Sequence, residues 1–179
     1  MKKNFFLNYF NNINNLCNVI DLNAIKDVLN KIKKLKKNNK IILAGNGGSA
    51  SIASHVAVDL TKICNFPSVT FNESNLITCF ANDYGYENWL SIAINKYAVL
   101  GDICILISSS GKSKNIINAA KICKKKKIFL ITFSGFNKNN SLKKIGNINF
   151  WVNSKNYNYI EMTHHIWLLS IVDYLKKVE

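Results

Sequence analysis

The stretch Lys40–Lys62, KIILAGNGGSASIASHVAVDLTK, decides how this chain is read. Four apolar residues in a row, Ile41-Ile42-Leu43-Ala44, end at Gly45-Asn46-Gly47-Gly48-Ser49, and a helical stretch follows from Ala50 to about Lys62. A wholly apolar strand is one covered on both faces. A strand that passes through a glycine turn into a helix is the repeating unit of a parallel α/β sheet.

The unit recurs downstream. Ser68–Phe71 reads as a strand and Asn75–Ala81 as a short helix. Asp102–Ile107 is the next strand, ending in Ser108-Ser109-Ser110-Gly111-Lys112-Ser113, with its helix over Asn115–Lys125. Lys127–Phe133 reads as a fourth strand turning at Ser134-Gly135, Ile148–Val152 as a fifth, and Tyr159–Lys177 as a closing amphipathic helix. Upstream, Phe6, Leu7, Phe10, Ile13, Leu16, Cys17 and Ile20 have helical spacing, as do Ile25, Val28, Leu29, Ile32 and Leu35 between Asp21 and Lys37. The expectation is an α/β fold: a doubly wound, five-stranded parallel sheet preceded by two N-terminal helices. One domain would span 1–179, with 1–39 a helical extension and 40–179 the core.

Composition bounds the function. The chain has 179 residues with 24 Lys+Arg against 10 Asp+Glu, a formal charge of +14, and 48% hydrophobic residues. That content excludes a disordered chain, and no window of 18 uncharged apolar residues offers a transmembrane helix. Every one of the 24 basic residues is Lys, beside 28 Asn, a pairing that fits a coding bias toward A and T. Arg is the residue best suited to bidentate recognition of phosphate and guanine, so its absence argues against a dedicated nucleic-acid binder. The five cysteines (Cys17, Cys64, Cys79, Cys104, Cys123) are odd in number and scattered, which suggests neither a disulfide framework nor a cysteine metal site and points to the cytoplasm. No secretory signal is read at the start of the sequence.

Two polar loops, Gly45–Ala50 and Ser108–Ser113, each follow a strand. In open parallel sheets ligands bind beyond the carboxyl ends of the strands. Glycine permits close backbone approach, and a following helix offers free N–H groups to an anion. The serine hydroxyls suit a phosphate dianion, because each donates a hydrogen bond without a counter-ion. Neither loop is a nucleotide fingerprint: the first lacks the third glycine of GxGxxG, and the second lacks the GxxxxGK[ST] frame.

Four stretches, AGNGGSASIASHVAVDLTK (44–62), ANDYGYENW (81–89), ISSSGKSKNIINAA (107–120) and IEMTHHIWLLSIVDYL (160–175), occur in this order and spacing. Together they resemble the phosphoheptose isomerase branch of the sugar isomerase (SIS) domain family. The resemblance runs from about Lys40 to Val178, and the two leading helices match that branch's N-terminal extension. It implies an SIS-type, flavodoxin-like sheet, and substrate contacts at Asn46, Gly47, Gly48, Ser49, Asn82, Asp83, Ser108, Ser109, Ser110, Ser113 and Glu161. The serine loop would be the phosphate cradle. It further implies a cytoplasmic homotetramer, with sites formed between subunits and the extension serving oligomerisation. Such an enzyme converts sedoheptulose 7-phosphate to an aldoheptose 7-phosphate for a surface polysaccharide such as lipopolysaccharide or capsule.

Many members hold zinc with His and Glu four apart on the first helix and Gln and His eight apart on the last. This sequence departs there. His55 is present, but the Glu is Asp59, the Gln is Glu161, and the second His is Leu169. The residues themselves offer a replacement. His55 and Asp59 are four apart and share one helix face, and so do Glu161 and His165. A step of four residues turns only ~40° about a helix axis, against ~80° for eight. His55, Asp59, Glu161 and His165 are therefore a candidate set for zinc or another divalent ion. His164 reads as a hydrogen-bonding residue, and Trp167 and Leu169 as core.

Aldose–ketose isomerisation needs a base beside C1–C2 and a means of stabilising an enediolate. Asp59, Glu161 and His165 are the candidate catalytic groups, with Asp83 orienting hydroxyls. The alternative is a non-catalytic SIS module that binds a sugar phosphate or a protein partner, including the replication-initiator-associating type, because loss of the last-helix His is tolerable to a binder. Turnover of a sugar phosphate separates the two.

Overall fold

A computed structural model describes residues 3–177 of the chain. Met1, Lys2, Val178 and Glu179, which fall within the expected domain limits, lie outside the described residues.

Helix α1 (Lys3–Cys17) and helix α2 (Leu22–Lys33) come first. The Asp21 carboxylate caps α2 by accepting from the N–H groups of Asn23 (2.9 Å) and Ala24 (3.1 Å), which satisfies donors a helix start otherwise leaves open. Helix α2 stops at Lys33, short of the expected Lys37, where the Leu35 N–H turns back to the Ile32 carbonyl. The Lys-rich tail beyond it is the run into the sheet.

Strands β1 (Ile41–Ala44), β2 (Ser68–Val69), β3 (Ile103–Ser108), β4 (Phe129–Ser134) and β5 (Ile148–Trp151) form one parallel sheet in the order β2-β1-β3-β4-β5. Alternate side chains feed two cores. Ile41, Leu43, Ile105 and Phe133 pack with α2, with α3 (Gly48–Lys62) and with α7 (Tyr157–Lys177). Ile42, Ala44, Cys104 and Leu106 pack with α5 (Trp89–Tyr97) and α6 (Lys114–Lys125). Both faces are covered, which is why these strands are apolar throughout. The doubly wound reading holds, and Cys104 is core as expected.

Three further expectations are corrected. Strand β2 spans two residues, 68–69, rather than four; it pairs with β1 as Ser68 with Ile41 and Val69 with Ile42, and the chain leaves the sheet edge at Thr70. Helix α4 (Ser74–Tyr84) runs three residues past Ala81. Helix α5 was not expected at all; Trp89, Leu90, Ala93 and Ile94 are buried along one face, a helical spacing that a motif-based reading of 81–89 passes over.

Helix α1 lies against α7. The Trp167 indole donates to the Cys17 carbonyl (3.0 Å), and the Tyr9 and Tyr159 rings meet edge-on at 4.9 Å. On its outer side Phe5, Phe6, Leu7 and Phe10 are exposed.

Candidate functional site

The order β2-β1-β3 places the sheet's switch point between β1 and β3, because the chain leaves β1 toward one face and β3 toward the other. Loops leaving their carboxyl ends therefore diverge and open a crevice. These loops are the two that the sequence singled out.

Gly47, at φ +53°, turns the first loop into α3, a conformation that disfavours a side chain. Asn46 then reaches across the crevice to Asn115 in the first turn of α6, and the two amides pair reciprocally, at 3.0 and 2.8 Å. In the second loop the Ser108 hydroxyl donates to the Ser113 hydroxyl (3.1 Å), and Gly111 turns the chain at φ +63°. Ser113 makes no side-chain cap for α6, so the first-turn N–H groups of that helix stay open to an anion.

A cleft of about 110 Å³ lies between these loops. Asn46 and Ser49 line one side, Ser108, Ser109, Ser110 and Ser113 the other, and Tyr157 and Glu161 close it from α7. Glu161 is seated tightly. Its Oε1 accepts from the Ser109 hydroxyl (3.3 Å), and its carboxylate packs against the Gly48 Cα where any side chain would sit. Gly48 is thus a close approach that only glycine allows. Lys112, the one cation of the serine loop, faces a neighbouring cleft with Phe136 and Lys155 instead.

A second cluster joins α3 to α7. The Nδ1 of His55 stands 3.0 Å from Nε2 of His165, and its Nε2 stands 3.3 Å from Oδ2 of Asp59. With both rings neutral, one arrangement satisfies every contact: His165 Nε2–H donates to His55 Nδ1, and His55 Nε2–H donates to Asp59. The opposite tautomer would aim a lone pair at the carboxylate. Burial foremost, and then the neighbouring His55, hold the His165 imidazole below its ordinary pKa, while Asp59 pulls the other way.

The fold brings together His55, Asp59 and His165, three of the four expected, while Glu161, which shares the face of α7 with His165 by i,i+4 spacing, is drawn off to Ser109 and Gly48. This bears on the metal set. The ring of His55 offers one nitrogen to His165 and the other to Asp59 on the far side, so a single ion could not take both contacts. Among the described residues no group of three or more His, Cys, Asp or Glu side chains is placed to hold a metal. As arranged, the four side chains do not fit one ion. Leu169 packs on the edge of the core.

Asn82 and Asp83 do not line the cleft. They stand exposed at the end of α4, where the Asn82 amide donates to Asp83 (3.0 Å). His164 is fully buried; its Nε2 lies 3.2 Å from the Ser134 carbonyl, which can only accept, so this nitrogen carries the proton. Sequence reasoning missed Asn115 and Tyr157. Tyr157 is four residues before Glu161 on one helix, a spacing that could have flagged it; Asn115 gives no sign of its partner 69 residues away.

Fold and site define a class: a parallel α/β protein whose hydroxyl-rich cleft sits at the sheet's switch point. The SIS domain model matches residues 8–135, and the chain belongs to the SIS domain family. Phosphoheptose isomerase 2 of Campylobacter jejuni is 42% identical over 103 residues, 54% of this chain and 51% of that protein, so the chain spans about half that relative's length. Phosphoheptose isomerase of Buchnera aphidicola is 33% identical over 138 residues, 74% of this chain and 71% of that protein. The structure of phosphoheptose isomerase from Neisseria gonorrhoeae superposes with a TM-score of 0.87 at 20% identity, covering 98% of both chains, a likeness of fold.

Proposed function

We propose that the chain is a sugar-phosphate aldose–ketose isomerase of the phosphoheptose isomerase kind, acting on sedoheptulose 7-phosphate or a related sugar phosphate. The observation that carries the reading is the serine cleft with Glu161 built into its wall. The phosphate sits among Ser108, Ser110 and Ser113 and the N-terminal amides of α6, held by hydroxyl and N–H donors, while the Ser109 hydroxyl seats Glu161. Relatives in the same family that carry the name phosphoheptose isomerase support the substrate class.

With the phosphate in the cradle, the sugar extends along α7. A carboxylate base, Glu161, takes a proton from C1; the C–H electron pair forms the C1–C2 double bond as the C2 carbonyl becomes the enediolate oxygen. Return of a proton to C2, with transfer of the O1 proton toward O2, leaves the aldose. Asp59, His55 and His165 form a hydrogen-bonded chain one helical turn beyond Glu161 and are the candidates for relaying the hydroxyl proton. The cleft is smaller than the roughly 300–1,000 Å³ usual for ligand sites. A second subunit completing it suits the exposed face of Phe5, Phe6, Leu7 and Phe10, so we propose a homo-oligomer, a tetramer as in the branch it resembles. Exposed Asn82 and Asp83 would then serve a neighbouring subunit's site. No described helix is long and apolar enough to cross a membrane, and the proposed setting is the cytoplasm, supplying a heptose for surface polysaccharide.

Incubation with sedoheptulose 7-phosphate, followed by NMR, tests the reading. New aldose anomeric signals are expected, lost in Glu161→Gln while inorganic phosphate still binds. Phosphate binding without any turnover would replace the enzyme with a non-catalytic sugar-phosphate module.

A further inference from the structure

The segment Asn137-Lys138-Asn139-Asn140 lies in an Asn-rich tract, yet Asn140 alone among its three asparagines is buried, at 3% exposure. Its amide nitrogen donates to the Ser134 hydroxyl (3.0 Å), the Asn137 carbonyl (2.9 Å) and, at the limit, the Gly135 carbonyl (3.3 Å). Its Oδ1 accepts from the Lys143 N–H (2.9 Å). One side chain thus supplies the hydrogen bonds that β4's exit loop would otherwise lack, and it fixes the loop's shape.

That loop in turn grips the serine loop at two points. The Gly135 N–H donates to the Ser109 carbonyl (2.8 Å), and the Leu142 N–H donates to the Gly111 carbonyl (3.1 Å). A third contact is steric: a Cβ on Gly111 would fall on the Asn140 side chain, so the left-handed turn of the serine loop is packed onto this amide. Asn140 is not among the residues lining the serine cleft; it acts through the backbone that carries Ser109 and Ser110.

We propose that Asn140 is the positioning residue of the phosphate cradle: it shapes the 135–142 loop so that Ser109 and Gly111 are held in the binding conformation. The inference rests on the reading of the serine loop as a phosphate site, and its readout is the binding of inorganic phosphate, in which the Glu161 base takes no part.

Asn140→Asp keeps the size and the acceptor for Lys143, but its carboxylate cannot donate to the Gly135 and Asn137 carbonyls. Titration calorimetry with inorganic phosphate and kinetics with sedoheptulose 7-phosphate are run on wild type, Asn140→Asp and Ser113→Ala. Asn140→Asp should raise the phosphate Kd and the KM by about tenfold or more, since small misplacement of a binding group is costly. Should that variant not fold, Asn140→Ser, which keeps one donor, serves the same comparison. A role in stability alone would lower Tm and leave Kd and KM at wild-type values, and that result overturns the inference. If Ser113→Ala weakens phosphate while Asn140→Asp does not, only the positioning role falls. If Ser113→Ala also leaves phosphate binding unchanged, the cradle itself is misread and both fall.

Discussion

Acid sensitivity of this fold should be dominated by one imidazole. His164 is fully buried, against Phe133 (5.6 Å between ring centroids) and Trp167 (6.3 Å). Its Nδ1 has no hydrogen-bond partner among the described residues. Desolvation lowers its pKa to about 4, opposed only by the hydrogen bond to the Ser134 carbonyl. In the unfolded chain the ring titrates near 6.5. Below that pH the unfolded state takes up a proton that the folded state refuses, so stability is complete above about pH 6.5 and falls as pH drops toward 4. The gap between the two values corresponds to about 3 kcal/mol, of which about 2 kcal/mol is lost by pH 5. That is a large share of a typical folding free energy. Urea unfolding of wild type and His164→Gln, followed by tryptophan fluorescence at pH 7.5, 6 and 5, isolates the effect, because all other titrating groups are common to both. Wild type should lose about 2 kcal/mol more than the variant between pH 7.5 and 5. Parallel pH profiles in the two proteins would show that the ring does not stay neutral in the folded state, and would refute the argument.

Gly48→Ala should cut kcat/KM by about a hundredfold, because the new methyl displaces the Glu161 carboxylate, and should leave Tm unchanged or raised, alanine being the better helix former; undiminished activity would mean that Glu161 does not work from this seat. Asp102→Ala removes a fully buried carboxylate that accepts from Lys40 Nζ (2.9 Å), the N–H groups of Lys40 (3.0 Å) and Val99 (3.0 Å), and Asn39 (3.1 Å). It should destabilise by about 3 kcal/mol, read as a Tm lowered by roughly 10 °C; a drop of under about 2 °C would show that water replaces these contacts. The Asp102 carboxyl lies below its ordinary pKa although burial alone would raise it, since these hydrogen bonds outweigh the burial. Its contribution is therefore lost only in strong acid, below the range in which His164 acts.

Local sequence settled the five strands and the two polar loops, while helix α5 went unread and the extents of α2, β2 and α4 differ from expectation. Apolar runs at Ile41–Ala44 and Ile103–Ser108, each followed by a polar turn and a helix, can be satisfied only by a sheet covered on both sides, and the crevice at its switch point follows from that topology. Helical spacing also placed His55 beside Asp59, because that is a question of i and i+4 on a single helix; the meeting of His55 with His165 joins two helices and is a product of their packing. What sequence could not decide was the partition between helices. Whether Glu161 joins the histidines or the serines depends on how α7 packs against α3, and the absent side chain at Gly48 lets the carboxylate settle on the serine side. Asn82 and Asp83 matched a motif yet end up exposed, since a motif does not say which way a helix end faces. Asn140 had no local signal among its neighbouring asparagines. Its burial is a product of the loop closing on itself, and contacts of that kind exist only once the chain has folded.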